Sequence, residues 1–210
     1  GLWRNPFGEL TPEERAKLAV VDVGPLVDFL SQARHAVQFL GGCGFGKTTH
    51  LLALQRQLPT ASLVYFPEDG PRPALPRRFP LLIDEAQRMG WRRRRQMLKS
   101  SGPLAIATHQ DLSPVLHRAG FRVWQVNVEQ VKTPRCLAQI LNARIQASST
   151  ALGSTEQRCW PTPQIDEAFA GKLSRRYASN LRAIEDYLYQ DLQRCIQERR
   201  LWPPATLPWS

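Results

Sequence analysis

Residues 41–48 read Gly-Gly-Cys-Gly-Phe-Gly-Lys-Thr, between an apolar run at residues 36–40 and a leucine-rich run holding Leu51, Leu52 and Leu54. G-x-x-x-x-G-K-[ST] between a strand and a helix is a phosphate-binding loop, and it requires a parallel α/β core around it. Backbone N–H groups can wrap a polyphosphate only where side chains are absent and unusual φ values are allowed. Gly41, Gly42, Gly44 and Gly46 meet that need. The helix that follows points its free N–H groups and positive dipole end at the same place. Lys47 is then expected to reach the terminal phosphates and the Thr48 hydroxyl to ligate Mg²⁺. The candidate cradle is Gly41, Gly42, Cys43, Gly44, Phe45, Gly46, Lys47, Thr48 and Thr49.

A second motif lies 37 residues beyond Lys47, where Pro80-Leu-Leu-Ile-Asp-Glu ends a short apolar strand on two carboxylates. Ligands of open α/β sheets bind at the carboxyl ends of strands. Asp84 is therefore the expected second Mg²⁺ ligand and Glu85 the group that polarises an attacking water. A fourth apolar strand, residues 103–108, ends in Thr108-His109-Gln110, so Thr108 or His109 is expected near the terminal phosphate. His109 has no histidine partner at metal-ligand spacing.

Further elements are marked by periodicity and punctuation. Helices are expected from Thr11-Pro12, over residues 23–36 with Leu26, Phe29 and Leu30 on one face, over 47–58 and over 86–101. A short helix is expected over 112–118, and three more follow Thr133: one with Leu137, Ile140, Leu141 and Ile145 inward, one over 165–177, and one over 181–196. The last carries Leu181, Ile184, Leu188, Leu192 and Ile196 at helical spacing. Strands are expected at 62–66 and 122–128. Residues 67–79 are too rich in proline for a helix, which leaves the direction and edge position of the second strand open. The aromatic lead-in before the core either covers a base or packs on the core. The expected organisation is a lead-in over 1–34, a core over 35–132, a helical lid over 133–200 and a Pro/Trp-rich tail over 201–210.

The net charge of +10 suits nucleic acid, an acidic partner or an anionic surface. Its densest expression is Arg92, Arg93, Arg94 and Arg95, which pass all around a helix and so cannot all face a core. They form either a solvated face or a phosphate-backbone contact. With 42% hydrophobic residues a sizeable core is affordable, and no apolar run approaches membrane-spanning length. The N-terminus shows no signal-peptide pattern and Cys43, Cys136, Cys159 and Cys195 form no C-x-x-C pair, so reduced thiols, a cytoplasmic location and no membrane insertion are expected.

This order of motifs resembles the AAA+ branch of the P-loop ATPases over about residues 23–200. Residues 41–48 match its Walker A motif and Leu81-Leu-Ile-Asp-Glu-Ala-Gln87 its Walker B motif, in the compact D-E-A-[QH] flavour of origin-recognition, transposition-helper and secretion-associated ATPases. Asn5-Pro-Phe7 is similar to a lead-in found in some of these. The resemblance implies a three-layer αβα sheet in the order 5-1-4-3-2 with a C-terminal helical lid, ATP and Mg²⁺ as ligands, and hydrolysis of ATP to ADP and phosphate. It places Thr108 or His109 at the first sensor and Arg182 at the second, and points to Arg118 or Arg122 for an arginine acting on a neighbouring subunit. The expected function is an ATPase switch or remodeller acting on nucleic acid or a nucleoprotein assembly. The alternatives are a regulatory ATP-binding module for a protein partner, with self-assembly possible in either case, or a P-loop small-molecule kinase. An ABC-type ATPase is excluded: no L-S-G-G-Q-like signature separates the motifs, and 36 positions from Thr48 to Asp84 leave no room for its helical subdomain.

Overall fold

Five runs of apolar residues become five parallel strands in the computed structural model, which describes residues 2–130, 133–149, 162–198 and 202. The strands are β1 (His35–Leu40), β2 (Ser62–Tyr65), β3 (Leu81–Asp84), β4 (Leu104–Thr108) and β5 (Arg122–Asn127). They pair in the order β2-β3-β4-β1-β5, which read from the other edge is the expected 5-1-4-3-2. Every pair is parallel. β1 is central, in register Leu40 to Thr108 on one side and Leu40 to Asn127 on the other. Three strand ends thus meet where the glycine loop begins.

The period of two along each strand divides the core. Ala36, Leu81, Ile83, Leu104 and Ile106 face a cluster with Met97 of α4 (Trp91–Leu98) and Leu116 of α5 (Ser113–Arg118). Val37, Phe39, Leu82, Ala105 and Ala107 face a second cluster with Leu26 of α2 (Gly24–Phe29) and Leu51 and Leu54 of α3 (Lys47–Gln57). Central strands of parallel sheets are buried on both sides and so read as unbroken apolar runs. Upstream, α1 (Pro12–Lys17) packs on α3.

The doubt over β2 resolves as an edge strand parallel to β3, joined to it by an irregular crossing instead of a helix. Leu75, 7% exposed, anchors that crossing in the first core cluster. The expected helix over 23–36 is shorter, because β1 already claims His35. The expected helix over 86–101 is broken: Glu85 is left-handed (φ 56°), Ala86–Arg88 forms a 3₁₀ turn, and α4 starts only after Gly90.

The chain forms two compact units, Pro12–Val131 and a second one made of Gly1–Thr11 with Lys132–Ser210. Residues 1–34 are therefore divided between the two. In the second unit α6 (Pro134–Ala147), α7 (Glu167–Arg176) and α8 (Leu181–Gln197) bury Leu137, Leu141, Ile145, Leu173, Ile184 and Leu188 around Phe7. Thr133 caps α6 by accepting from the Cys136 N–H, and Asn180 caps α8 by accepting from Ala183. Ile196, expected inward, is 61% exposed, and Cys195 is buried in its place. Trp202 packs on Phe7 at 5.5 Å and donates from Nε1 to Asp191. The loop expected over 147–163, Cys159 and the rest of the tail lie almost wholly outside the described residues.

Candidate nucleotide site

The loop joining β1 to α3 has the backbone its sequence demands. Gly44 and Gly46 adopt φ of 86° and 85°, a region L side chains rarely enter. A Cβ on Gly41 would stand 2.7 Å from Cγ2 of Val128, so the loop closes against the end of β5 only because that position is bare. α3 begins at Lys47 directly after Gly46, so its unsatisfied N–H groups open toward the loop.

Lys47 is buried, and its ammonium turns back on the loop, donating to Gly41 O at 2.9 Å and Gly42 O at 2.7 Å. Burial pulls it below its ordinary pKa, against the opposing charges of Glu85, Cys43, Asp84 and Glu129. Thr48 donates its hydroxyl to Asp84 Oδ2 at 2.7 Å. Asp84 is 4% exposed, and burial raises its pKa; the Thr48 hydrogen bond opposes the shift and the Glu85 charge reinforces it. One hydroxyl and one desolvated carboxylate are hard oxygen donors that fit Mg²⁺, whose charge would relieve the cost of the buried anion. Cys43 and Phe45 belong to the loop, and Cys43 is exposed and outside any disulfide.

Glu85 sits just past β3 in a left-handed conformation that a non-glycine residue holds only where its surroundings enforce it. Gln87 donates to its Oε2 at 2.6 Å, Arg88 lies 3.4 Å from the same oxygen, and His109 Nε2 lies 3.4 Å from Oε1. The same His109 nitrogen is 3.4 Å from Lys47 Nζ. A single ring nitrogen either accepts from the ammonium or donates to the carboxylate, so the two contacts are alternatives set by the imidazole proton.

Of the two residues expected beside the terminal phosphate, His109 joins this group. Thr108 is fully buried, and its hydroxyl closes the turn after β4, donating to Gln110 O and accepting from Gln110 N–H. Arg182 is the second residue of α8, in the other unit. Arg118 is exposed at the end of α5; Arg122 starts β5, at the sheet end away from the loop. Of the arginine run, Arg92 and Arg95 are exposed, whereas Arg94 donates back to Gln87 O at 3.5 Å, so the four do not present one face. Among the described residues no cluster of His, Cys, Asp or Glu is built to hold a metal by itself, and no helix is long and apolar enough to cross a membrane.

Three site residues were not singled out by the sequence reading. Gln87 bridges Glu85 and the His109 backbone N–H, which donates to its Oε1 at 3.3 Å. Arg88, three residues after Glu85, reaches back to it and on to Glu68. Glu129 accepts from the Gly42 N–H at 2.6 Å, placing a carboxylate on the loop's own anion-binding backbone. The i,i+3 spacing could have flagged Arg88; no local pattern announces Glu129, which reaches the loop only through sheet order.

No protein-family model matches the sequence, and no curated protein matches it. Solved structures do match, among them the RuvB Holliday junction branch migration motor of Thermotoga maritima, at a TM-score of 0.52 and 14% identity over 92% of this chain. The chain spans 64% of that protein's length. With the sheet order, the glycine loop and the acid-ended strand already in place, that likeness is one of fold: the chain shares the parallel-sheet αβα architecture of that structure.

Proposed function

We propose that the chain binds ATP on residues 41–49 and hydrolyses it to ADP and phosphate in a Mg²⁺-dependent reaction. The observation that carries this is His109 Nε2 standing 3.4 Å from Lys47 Nζ and 3.4 Å from Glu85 Oε1, beside the Thr48–Asp84 pair. In this reading Lys47 exchanges the Gly41 and Gly42 carbonyls for phosphate oxygens, an exchange its desolvated position favours. Thr48 and Asp84 would hold Mg²⁺, which supplies neutralisation of the phosphate charge. Glu85 orients water for in-line attack, and His109, between base and ammonium, holds or releases a proton at Nε2 as charge moves. Thr108 shapes the turn that presents His109. A kinase is disfavoured because the adjacent Asp84 and Glu85 carboxylates suit water as the acceptor.

The partner in this reading is nucleic acid or a nucleoprotein assembly, supported by the +10 charge and the exposed arginines of α4. A cytoplasmic setting suits it. Regulation of a protein partner, and self-assembly with Arg118 or Arg122 acting on a neighbour, are the alternatives that a sizing experiment with a slowly hydrolysed ATP analogue separates.

Glu85→Gln should keep ATP binding, read by calorimetry, and lose phosphate release by about 100-fold or more, the scale of a general base. Lys47→Ala should lose both. Turnover that survives Glu85→Gln removes that residue from its role, and ATP affinity that survives Lys47→Ala counts against the loop. Arg182→Ala tests the second sensor: reduced turnover with retained binding is expected.

A further inference from the structure

Trp91 is 69% exposed, although α4 already satisfies the core through Met97 at 2%. Leaving an indole in water forgoes one of the largest burial gains a side chain offers, so its surroundings matter. The Arg92 guanidinium stands over the ring at 5.3 Å. Arg72, from the proline-rich crossing, donates from Nη1 to the Arg88 carbonyl, which fixes its head group beside Gly90. Arg72, Gly90, Trp91, Arg92 and Arg93 together line a concavity of about 410 Å³. Among the described residues no carboxylate pairs with Arg72, Arg92 or Arg93; Arg93 donates only to Gln96. Arg94 and Arg95 do not line it, so it is not the whole arginine run but two of its members, a tryptophan and an arginine 20 residues upstream.

Guanidinium groups around an open aromatic face meet two chemical demands at once. The forks bind phosphate, and the ring offers a stacking surface to any base. Bases of a single strand present their faces, whereas those of a duplex are stacked on each other. An acidic peptide would engage the arginines and leave the indole idle. We propose that this concavity docks single-stranded nucleic acid, with a base stacked on Trp91 and adjoining phosphates on Arg72, Arg92 and Arg93. The proposal rests on the reading of nucleic acid as the partner, and it is independent of ATP turnover.

The test is fluorescence anisotropy of a labelled oligothymidylate across a salt series, without nucleotide, on the full chain and on its Lys47→Ala variant. Three phosphate contacts predict a slope of about −2 in log affinity against log salt. Trp91→Ala should weaken binding roughly tenfold with the slope unchanged, and Trp91→Phe should restore most of it. Arg72→Ala with Arg93→Ala should flatten the slope by about 1.4. Tighter binding to a duplex of the same sequence, or displacement by polyglutamate as effective as by unlabelled oligonucleotide, overturns the proposal, the latter in favour of an acidic protein. Binding that ignores all three substitutions overturns this site and leaves the nucleic-acid reading standing. No binding at low salt overturns both.

Discussion

Two carboxylates of opposite situation decide how the site behaves when empty. Asp84 is desolvated and its pKa raised, so in the folded chain the ionised form is disfavoured. A raised carboxylate contributes stability that is fully present below its unfolded value and is lost as pH rises through the folded one. Without Mg²⁺, Asp84→Asn should therefore raise the melting temperature at pH 7, and the gain should fade as pH falls through the raised value, to be gone once pH is below the ordinary carboxylate range. With saturating Mg²⁺ and ATP the order should reverse, because the wild type alone gains the ligand's linkage stabilisation; thermal scans in both conditions check this. Glu129 occupies a loop N–H while adding negative charge where phosphates would lie. Glu129→Gln should tighten ATP about tenfold, a unit charge near a partly buried site being worth about 1–2 kcal/mol, as read by calorimetry. A residue such as Glu129 is illegible in a sequence because its partner is 87 positions away. Lys47, Thr48 and Asp84 were legible because loop and strand end write them at fixed offsets.

At the scale of elements, the strands were legible for the reason that makes them central: burial on both faces leaves no polar position to blur the run. Gln38 is the exception in the middle of a strand, the buried His35, Asp84 and Thr108 all standing at strand ends. It is fully buried in β1, donates to Asp111, Ser113 and Gln125, and accepts from the Leu112 N–H, tying the central strand to the turn between β4 and α5. That turn carries His109, so one core amide braces a site residue from behind. Gln38→Leu should cost about 2–3 kcal/mol in denaturant unfolding, since it strands a buried N–H and removes a donor from Asp111. The broken helix after Glu85 was missed although Gly90 marks it: the glycine is extended at the start of α4, and the helix formers on either side hid the break. Ile196 was misread for the opposite reason: its spacing fits the stripe, yet the stripe drifts and Cys195 takes the buried place.

For the molecule as a whole, the second unit is held by one polar centre. Arg144, 6% exposed, donates to Pro6 O and Gly8 O and pairs with Glu185, so a helix, the N-terminal segment and α8 share one guanidinium. Leu2 bridges to Ser149 and Trp3 donates to Ser148 O. Arg144→Ala removes a buried guanidinium that three segments share and should destabilise this unit by about 3–5 kcal/mol. Scanning calorimetry should then show one transition shifted well below the other, with the sheet unit's transition in place. The discontinuity of this unit was beyond the sequence reading, which set residues 1–34 apart as one lead-in and tied none of them to the helices after residue 132.

That discontinuity also sets a timetable. On the ribosome, the sheet unit is complete once residue 131 has emerged and can collapse around its own strands. Residues 2–8 emerge well before the helices they pack with, and Phe7 can complete its cluster only once Ile184 and Leu188 have followed. At about 5–20 residues per second the wait is roughly 10–40 seconds. For the last third of it, an aromatic segment stays unpaired beside a finished sheet unit, within reach of any chaperone that reads short apolar sequences.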